Sequence, residues 1–311
     1  MNVDKVCNER GCRWIDVSVN IPTSFVKNPD KPILLGHTEP EVHLWNNVFY
    51  LYYRTDHSIA LATSTDGLNW AEQGIVLSHS VSGWDDLENI SPSVLFYNGT
   101  YYLYYEGAST TGARAVGVAT SLSPLGPFIR PVPNIPTLAP TLPWEDNIVG
   151  TPAITQIGSI FYLFYHGFNG INDQVGVAYG STPTGPWLKE ANNPILPYGA
   201  SGAWDSVKTA PSSCVALFDS VILVFYEGFN GTNWQTGLAI GVPSPIRVTT
   251  LTRVANNPII PLGPTGSFDA YDTQLPGAVS VGNECWLYYS GNDGAAFHLA
   301  RAISSYITTD D

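Results

Sequence analysis

Charge is scarce in this chain. Asp, Glu, Lys and Arg make up 13% of its 311 residues, about half the usual ~25%. Bases are scarcer still: 13 Lys and Arg stand against 26 Asp and Glu, for a net charge of −13. They form no cluster, which argues against a nucleic-acid partner, because phosphates need Lys and Arg. Long apolar runs are missing too. Nothing approaches the ~20 residues of a membrane span. The opening stretch MNVDKVCNERGCRW lacks the roughly 7–15-residue apolar segment of a secretory signal. The expectation is therefore a cytoplasmic protein, or a secreted one whose signal has been removed. Cysteine occurs four times. Cys7 and Cys12 could pair in an oxidising compartment or hold half a zinc site, but no second pair follows at ligand spacing. Cys214 and Cys285 lie in strand-like runs and read as buried free thiols. No metal ligand set is assigned.

What is present is aromatic and turn-rich. One Met stands against 17 Tyr, 9 Trp and 12 Phe, with 29 Gly and 24 Pro. That is a mixture for strands, not helices. It is also repetitive. Five segments share one template: a proline, a short apolar run, a polar turn, an aromatic strand, then a small-residue strand. The aromatic strands read VFYLYYR (48–54), YYLYYEG (101–107), FYLFYHG (161–167), ILVFYEG (222–228) and CWLYYSG (285–291). The small-residue strands read SIALATS (58–64), AVGVATS (115–121), QVGVAYG (174–180), TGLAIGV (236–242) and FHLARAI (297–303). The leading prolines are Pro40, Pro92, Pro152, Pro211 and Pro276.

A repeat of about 50–65 residues with about four short strands is a propeller blade. Five blades packed radially close a ring and remove long open edges. The sequence thus predicts an all-β protein, a five-bladed β-propeller of four-stranded antiparallel blades around a central channel. No linker or composition shift divides it. Residues 31–311 read as one domain, residues 1–30 as an irregular lead-in, and the ring is expected to close by joining its two ends. The turns STDGLNW (64–70), SLSPLGPF (121–128) and STPTGPW (181–187) carry turn chemistry, and the aromatic ending each is expected to plug between blades.

These repeats resemble the five-bladed propeller glycoside hydrolases of families 43, 32, 68, 117 and 130, over about residues 32–303. The resemblance implies a glycosidase acting on a plant, algal or microbial oligo- or polysaccharide with exposed neutral sugars. No cofactor is implied, though a structural calcium in the channel is compatible. In such a propeller the first strand of each blade lines the channel, and the second returns to the same face. An inner ring of polar residues then precedes each proline: His37 and Glu39, Glu88 and Asn89, Asp146 and Thr151, Lys208 and Thr209, Asp272 and Gln274. An outer ring follows each aromatic strand: Arg54, Glu106, His166, Glu227 and Ser290.

Glycosidic cleavage needs two carboxyl groups flanking the bond, one donating a proton and one activating water or attacking carbon. Glu39-Pro40 occupies the place of the first-blade Asp-Pro of families 43 and 32, which implies base or nucleophile; Glu41, two positions on, is its rival. The third- and fourth-blade acids of family 43 are replaced here by Thr151 and Thr209-Ala210. Glu227 and Glu106, both in Tyr-Glu-Gly, remain as alternative acids, with Asp146 and Glu88 behind them. Trp84 and Trp204 are candidate sugar-stacking platforms. Asp85, Glu145, Asp205 and Asp269, each after an aromatic residue, read as structural acceptors holding loops. Arg54 and His166 resemble phosphate-holding residues of the family 130 phosphorylases, and Lys208 could join them; Arg54 paired with Glu39 is the simpler reading. A glycoside phosphorylase and a non-catalytic carbohydrate-binding propeller are the two alternatives.

Overall fold

The computed structural model describes residues 3–8, 11–16, 21–29 and 31–306, the first two segments as backbone alone. Five small antiparallel sheets follow one another along the chain. Blade 1 comprises Thr38–Trp45, Val48–Thr55, Ser58–Ser64 and Ala71–Leu77. Blade 2 comprises Glu88–Tyr97, Thr100–Ala108 and Arg114–Ser121. Blade 3 runs over Val149–Ile157, Ile160–Phe168, Asp173–Gly180 and Leu188–Lys189. Blade 4 runs over Lys208–Leu217, Val221–Phe229, Trp234–Gly241 and Thr252–Arg253. Blade 5 comprises Asp272–Val281, Glu284–Asn292 and Phe297–Ser305. Its outer strand comes from the other end of the chain: Val26–Lys27 pairs with Ala302 and Ile303. The ring therefore closes end to end, as the sequence predicts.

Two details depart from expectation. The lead-in is not wholly irregular, since Val3–Asn8 and Gly11–Asp16 form an antiparallel hairpin. The alternatives for the Cys7 and Cys12 thiols concern side chains outside the described residues. Blade 2 has three strands, its fourth reduced to the isolated bridges Thr120–Ile129 and Val116–Leu138. Prolines at 124, 127, 131, 133, 136 and 140 remove the N–H donors that a fourth strand would need.

The core is not central. It lies in five apolar layers, one between each pair of neighbouring blades. Two tyrosine positions in the aromatic strands explain the repeat. Tyr52, Tyr104 and Tyr288 reach the next blade's turn and donate their hydroxyls to the carbonyls of Pro124, Pro183 and Gly67. Tyr105, Tyr165, Tyr226 and Tyr289 donate to Asp85, Glu145, Asp205 and Asp269. Each of these acids also takes a base: Arg130, Lys189, Arg253 and Lys27. The four acids are acceptors as expected, but a tyrosine and a base, more than loop N–H groups, are what they hold. A buried charge needs such partners. Four of the scarce bases are consumed this way, far from any chemistry.

Candidate active site

The prolines build the site. Proline has no N–H to give to the ladder, and the first strand of every blade shifts register across it. Such bulges re-aim side chains. The preceding residue is driven to positive φ in four blades: Glu39 at 58°, Ser91 at 50°, Thr151 at 40° and Leu275 at 52°. Non-glycine residues adopt that region only under constraint. In blade 4 the shift falls between Pro211 and Ser213. Glu39, Ser91, Thr151, Ser212 and Leu275, together with Pro40 and Pro92, line one axial cavity.

Glu39 is 7% exposed. Its Oε1 accepts Arg54 Nη1 at 3.0 Å, and its Oε2 accepts the Ser91 N–H at 2.5 Å and the Ser91 hydroxyl at 3.1 Å. Its own N–H donates to Ser290 Oγ at 3.0 Å. Burial raises its pKa above the ordinary carboxyl value; Arg54 and Ser91 oppose that rise, and Glu106 adds to it. The Arg54 pair therefore moderates the rise in the Glu39 pKa without reversing it.

Glu106 is held on both oxygens. Arg114 Nη1 lies 2.5 Å from Oε1, and the Thr151 N–H donates to Oε2 at 2.9 Å. His166 stands beside it, with Nδ1 2.8 Å from Thr151 Oγ1. Gly150 is fixed by this crowding, because a Cβ there would overlap Glu106 Oε2 and meet His166 Cε1 at 2.8 Å.

Glu227 differs from both. It is 6% exposed, its Oε2 has no hydrogen-bond partner among the described residues, and a backbone N–H from Leu275 is its stabilising contact. Burial pushes its pKa far up, and the negative charges of Glu39, Asp173 and Glu106 push further. Both effects favour its protonated form.

All five outer-ring residues thus converge: Arg54, Glu106, His166 and Glu227 around the carboxylates, and Ser290 on the Glu39 backbone. The inner ring is only partly as predicted: Glu39 and Thr151 line the cavity, but in blades 2, 4 and 5 the lining residue is Ser91, Ser212 or Leu275, beside the bulged proline. Glu88 joins the cluster, bonded to Arg54 at 2.9 Å and Arg114 at 2.6 Å. Lys208 does not; it pairs with Asp173 at 3.0 Å and covers the Phe168 ring. Asp272 accepts the Trp234 N–H and an Asn292 amide, each at 2.8 Å, as an interblade tie. His37 packs on Tyr53 at 4.5 Å and faces Glu72 at 3.9 Å. Trp204 packs on Tyr226 and over Gly228 and Gly237. It is an interblade plug, not an open platform. Trp84 stacks on Tyr105 in the same way, yet one edge reaches a groove of about 400 Å³ with Thr111, Arg114, Asp146 and Asn147. Asp146 is exposed there, outside the carboxylate cluster.

Glu41 is buried deeper, accepting the Val94 N–H at 3.2 Å, the Ser93 and Ser213 hydroxyls at 3.4 Å, and lying 3.0 Å from His43 Nε2. It ties blades 1, 2 and 4 together and is not placed among the cavity-lining residues. Arg114 was missed by the sequence reading; its one signal was a lone base opening a small-residue strand. Among the described residues, no three His, Cys, Asp or Glu are placed to hold a metal ion.

With this geometry in view, likeness to known proteins becomes informative. The model of glycosyl hydrolases family 43 matches residues 29–146, which span blades 1 and 2. A thermostable family-43 glycoside hydrolase superposes with a TM-score of 0.70 at 19% identity, covering 91% of this chain and 93% of its own. The chain shares the five-bladed propeller fold of that enzyme. An endo-arabinase from Bacteroides thetaiotaomicron superposes at 0.63 and 15% identity, covering 94% of this chain and 99% of its own. A β-1,2-mannobiose phosphorylase from Listeria innocua, solved with β-1,2-mannobiose, gives 0.69 at 12% identity, covering 91% and 96%. One scaffold thus carries both hydrolysis and phosphorolysis, and the site must decide between them.

Proposed function

We propose that this propeller hydrolyses glycosidic bonds in an oligo- or polysaccharide, with Glu227 as general acid and Glu39 as the base or nucleophile. The observation that carries this is an asymmetry within one pocket. Glu227 is buried, with one oxygen lacking a partner among the described residues and its pKa pushed up, whereas Glu39 has both oxygens engaged by an arginine and by Ser91. Environments that separate two carboxyl groups assign acid and base. Glu106 is the weaker acid, because Arg114 and the Thr151 N–H already occupy both its oxygens as acceptors. Glu227 donates its proton to the departing oxygen. Glu39 acts at the anomeric carbon, through water or directly. Glu106 and Arg114 would hold sugar hydroxyls beside them, and the groove beyond Arg114 would extend that surface toward a further sugar unit.

The basic residues argue against phosphorolysis. Arg54 is shared between Glu39 and Glu88, His166 is bonded to Thr151, and Lys208 is paired with Asp173. A bidentate phosphate would need guanidinium edges that these carboxylates already cover. The test is incubation with aryl glycosides and plant or algal oligosaccharides, with and without phosphate. Hydrolysis independent of phosphate supports the reading. Release of a sugar 1-phosphate only with phosphate, or polysaccharide binding without turnover, overturns it.

A further inference from the structure

Glu88 is the pocket carboxylate that this reaction leaves unused. It opens the first strand of blade 2 and is 5% exposed. Its Oε2 takes Arg54 Nη2 at 2.9 Å and its Oε1 takes Arg114 Nη2 at 2.6 Å. The other amino group of each guanidinium goes to a second carboxylate, Arg54 Nη1 to Glu39 at 3.0 Å and Arg114 Nη1 to Glu106 at 2.5 Å. The outcome is an unbroken run of alternating charge, Glu39–Arg54–Glu88–Arg114–Glu106, ending on the Thr151 N–H of blade 3. A guanidinium is a rigid planar fork, so fixing one edge aims the other. The other groups facing this run are few. His57 Nδ1 lies 3.7 Å from Glu88 Oε2, with the His79 ring 6.4 Å beyond it. Glu227 feels both Glu39 and Glu106 from the far side.

We propose that Glu88 is a positioning residue: it aims Arg54 and Arg114 so that each presents one amino group to Glu39 and Glu106, and so sets the ionisation of Glu39 without touching the sugar. This rests on the reading of Glu39 as base or nucleophile. A purely structural tie between blades 1 and 2 would lower stability when cut but would leave the pH dependence of the reaction in place.

Glu88→Gln keeps the shape and removes the charge. Arg54 then turns both amino groups to Glu39, which holds its proton less tightly. The acidic limb of kcat/KM moves to lower pH, kcat falls about tenfold or more as the carboxylate is turned from its line of attack, and KM stays within about twofold. Glu88→Asp, which keeps the charge, returns the limb toward its parent position. Thermal unfolding of each variant accounts for lost fold. In the parent protein the Nη protons of Arg54 give separate, slowly exchanging NMR signals. A limb that stays in place or moves upward in folded Glu88→Gln overturns the proposal; so does a single rotationally averaged Arg54 signal in the parent, even if that variant does not fold. Glu39→Gln measured alongside separates the two readings. If it keeps turnover, the role of Glu39 fails; if it is inactive while the Glu88→Gln limb stays put, the role of Glu88 alone fails.

Discussion

Arg54 stands between two glutamates, with Nη1 3.0 Å from Glu39 and Nη2 2.9 Å from Glu88. It is the main counterweight to the burial that raises the Glu39 pKa. Arg54→Lys gives up the two-edged contact for a point charge, and Arg54→Ala gives up the charge as well. In both, Glu39 holds its proton to higher pH. The acidic limb of kcat/KM therefore moves up, further for Ala than for Lys. Each unit of movement costs about tenfold in activity on the acid side. A pH–rate profile that does not move upward would remove Arg54 from the account.

Glu227→Gln separates chemistry from stability. Without a proton to donate, turnover of unactivated oligosaccharides falls by about 10²–10⁴. Aryl glycosides with acidic leaving groups lose far less, because their departing oxygen needs no proton. Stability moves the other way. The folded-state pKa is raised, so the unfolded chain binds fewer protons than the native one between the ordinary carboxyl value and the raised one. The native state is thus favoured at low pH, and that advantage is lost as pH rises through this window. The variant escapes the loss. Its melting temperature should exceed the parent's at neutral pH, and the gap should close as pH falls toward 4.5, the ordinary value. Differential scanning calorimetry across pH reads this directly.

Two glycines give opposite outcomes. At Gly107, a Cβ would overlap the Trp84 ring and meet Asp85 Cβ at 2.8 Å, both in the interblade layer. Gly107→Ala should lower stability by about 1–3 kcal/mol while activity per folded molecule stays near the parent's. At Gly150 the neighbours are Glu106 and His166. Gly150→Ala should lower kcat/KM by tenfold or more, with a smaller loss of melting temperature. Paired thermal and kinetic measurements check both.

The blades were legible in the sequence because their physics is local and repeated. Tyr52 and Tyr104 recur at one strand position since each must reach a neighbouring turn, and that need writes YLYY again and again. The outer ring was legible for the same reason, one residue past each aromatic strand. The inner ring was legible only in part, at Glu39, Thr151 and Glu88. The bulge at each proline is a backbone event, and its phase differs in blade 4, where Ser212 lines the cavity. Asp272 and Lys208 looked like rim residues because nothing local shows that Trp234 and Asp173, from other strands, will occupy them. Arg114 escaped because its partners, Glu88 and Glu106, are brought to it only by the fold of blade 2.

The groove beside Arg114 allows the sharpest test of substrate length. Thr111, Asp146 and Asn147 line it together with Trp84, and an indole beside hydroxyl and amide groups suits a sugar ring. None of the three touches Glu39, Glu106 or Glu227 through any hydrogen bond seen in the pocket. Asn147→Ala and Thr111→Ala should therefore leave hydrolysis of a short aryl glycoside within about twofold. They should lower kcat/KM on longer oligosaccharides by about 5–10-fold each, the effect of one lost hydrogen bond of about 1 kcal/mol or slightly more. The loss should appear in KM more than in kcat, since a remote sugar unit held equally in ground and transition states contributes uniform binding. Equal losses on short and long substrates would show that the groove acts through the fold of blade 2 and not as a surface for the sugar chain.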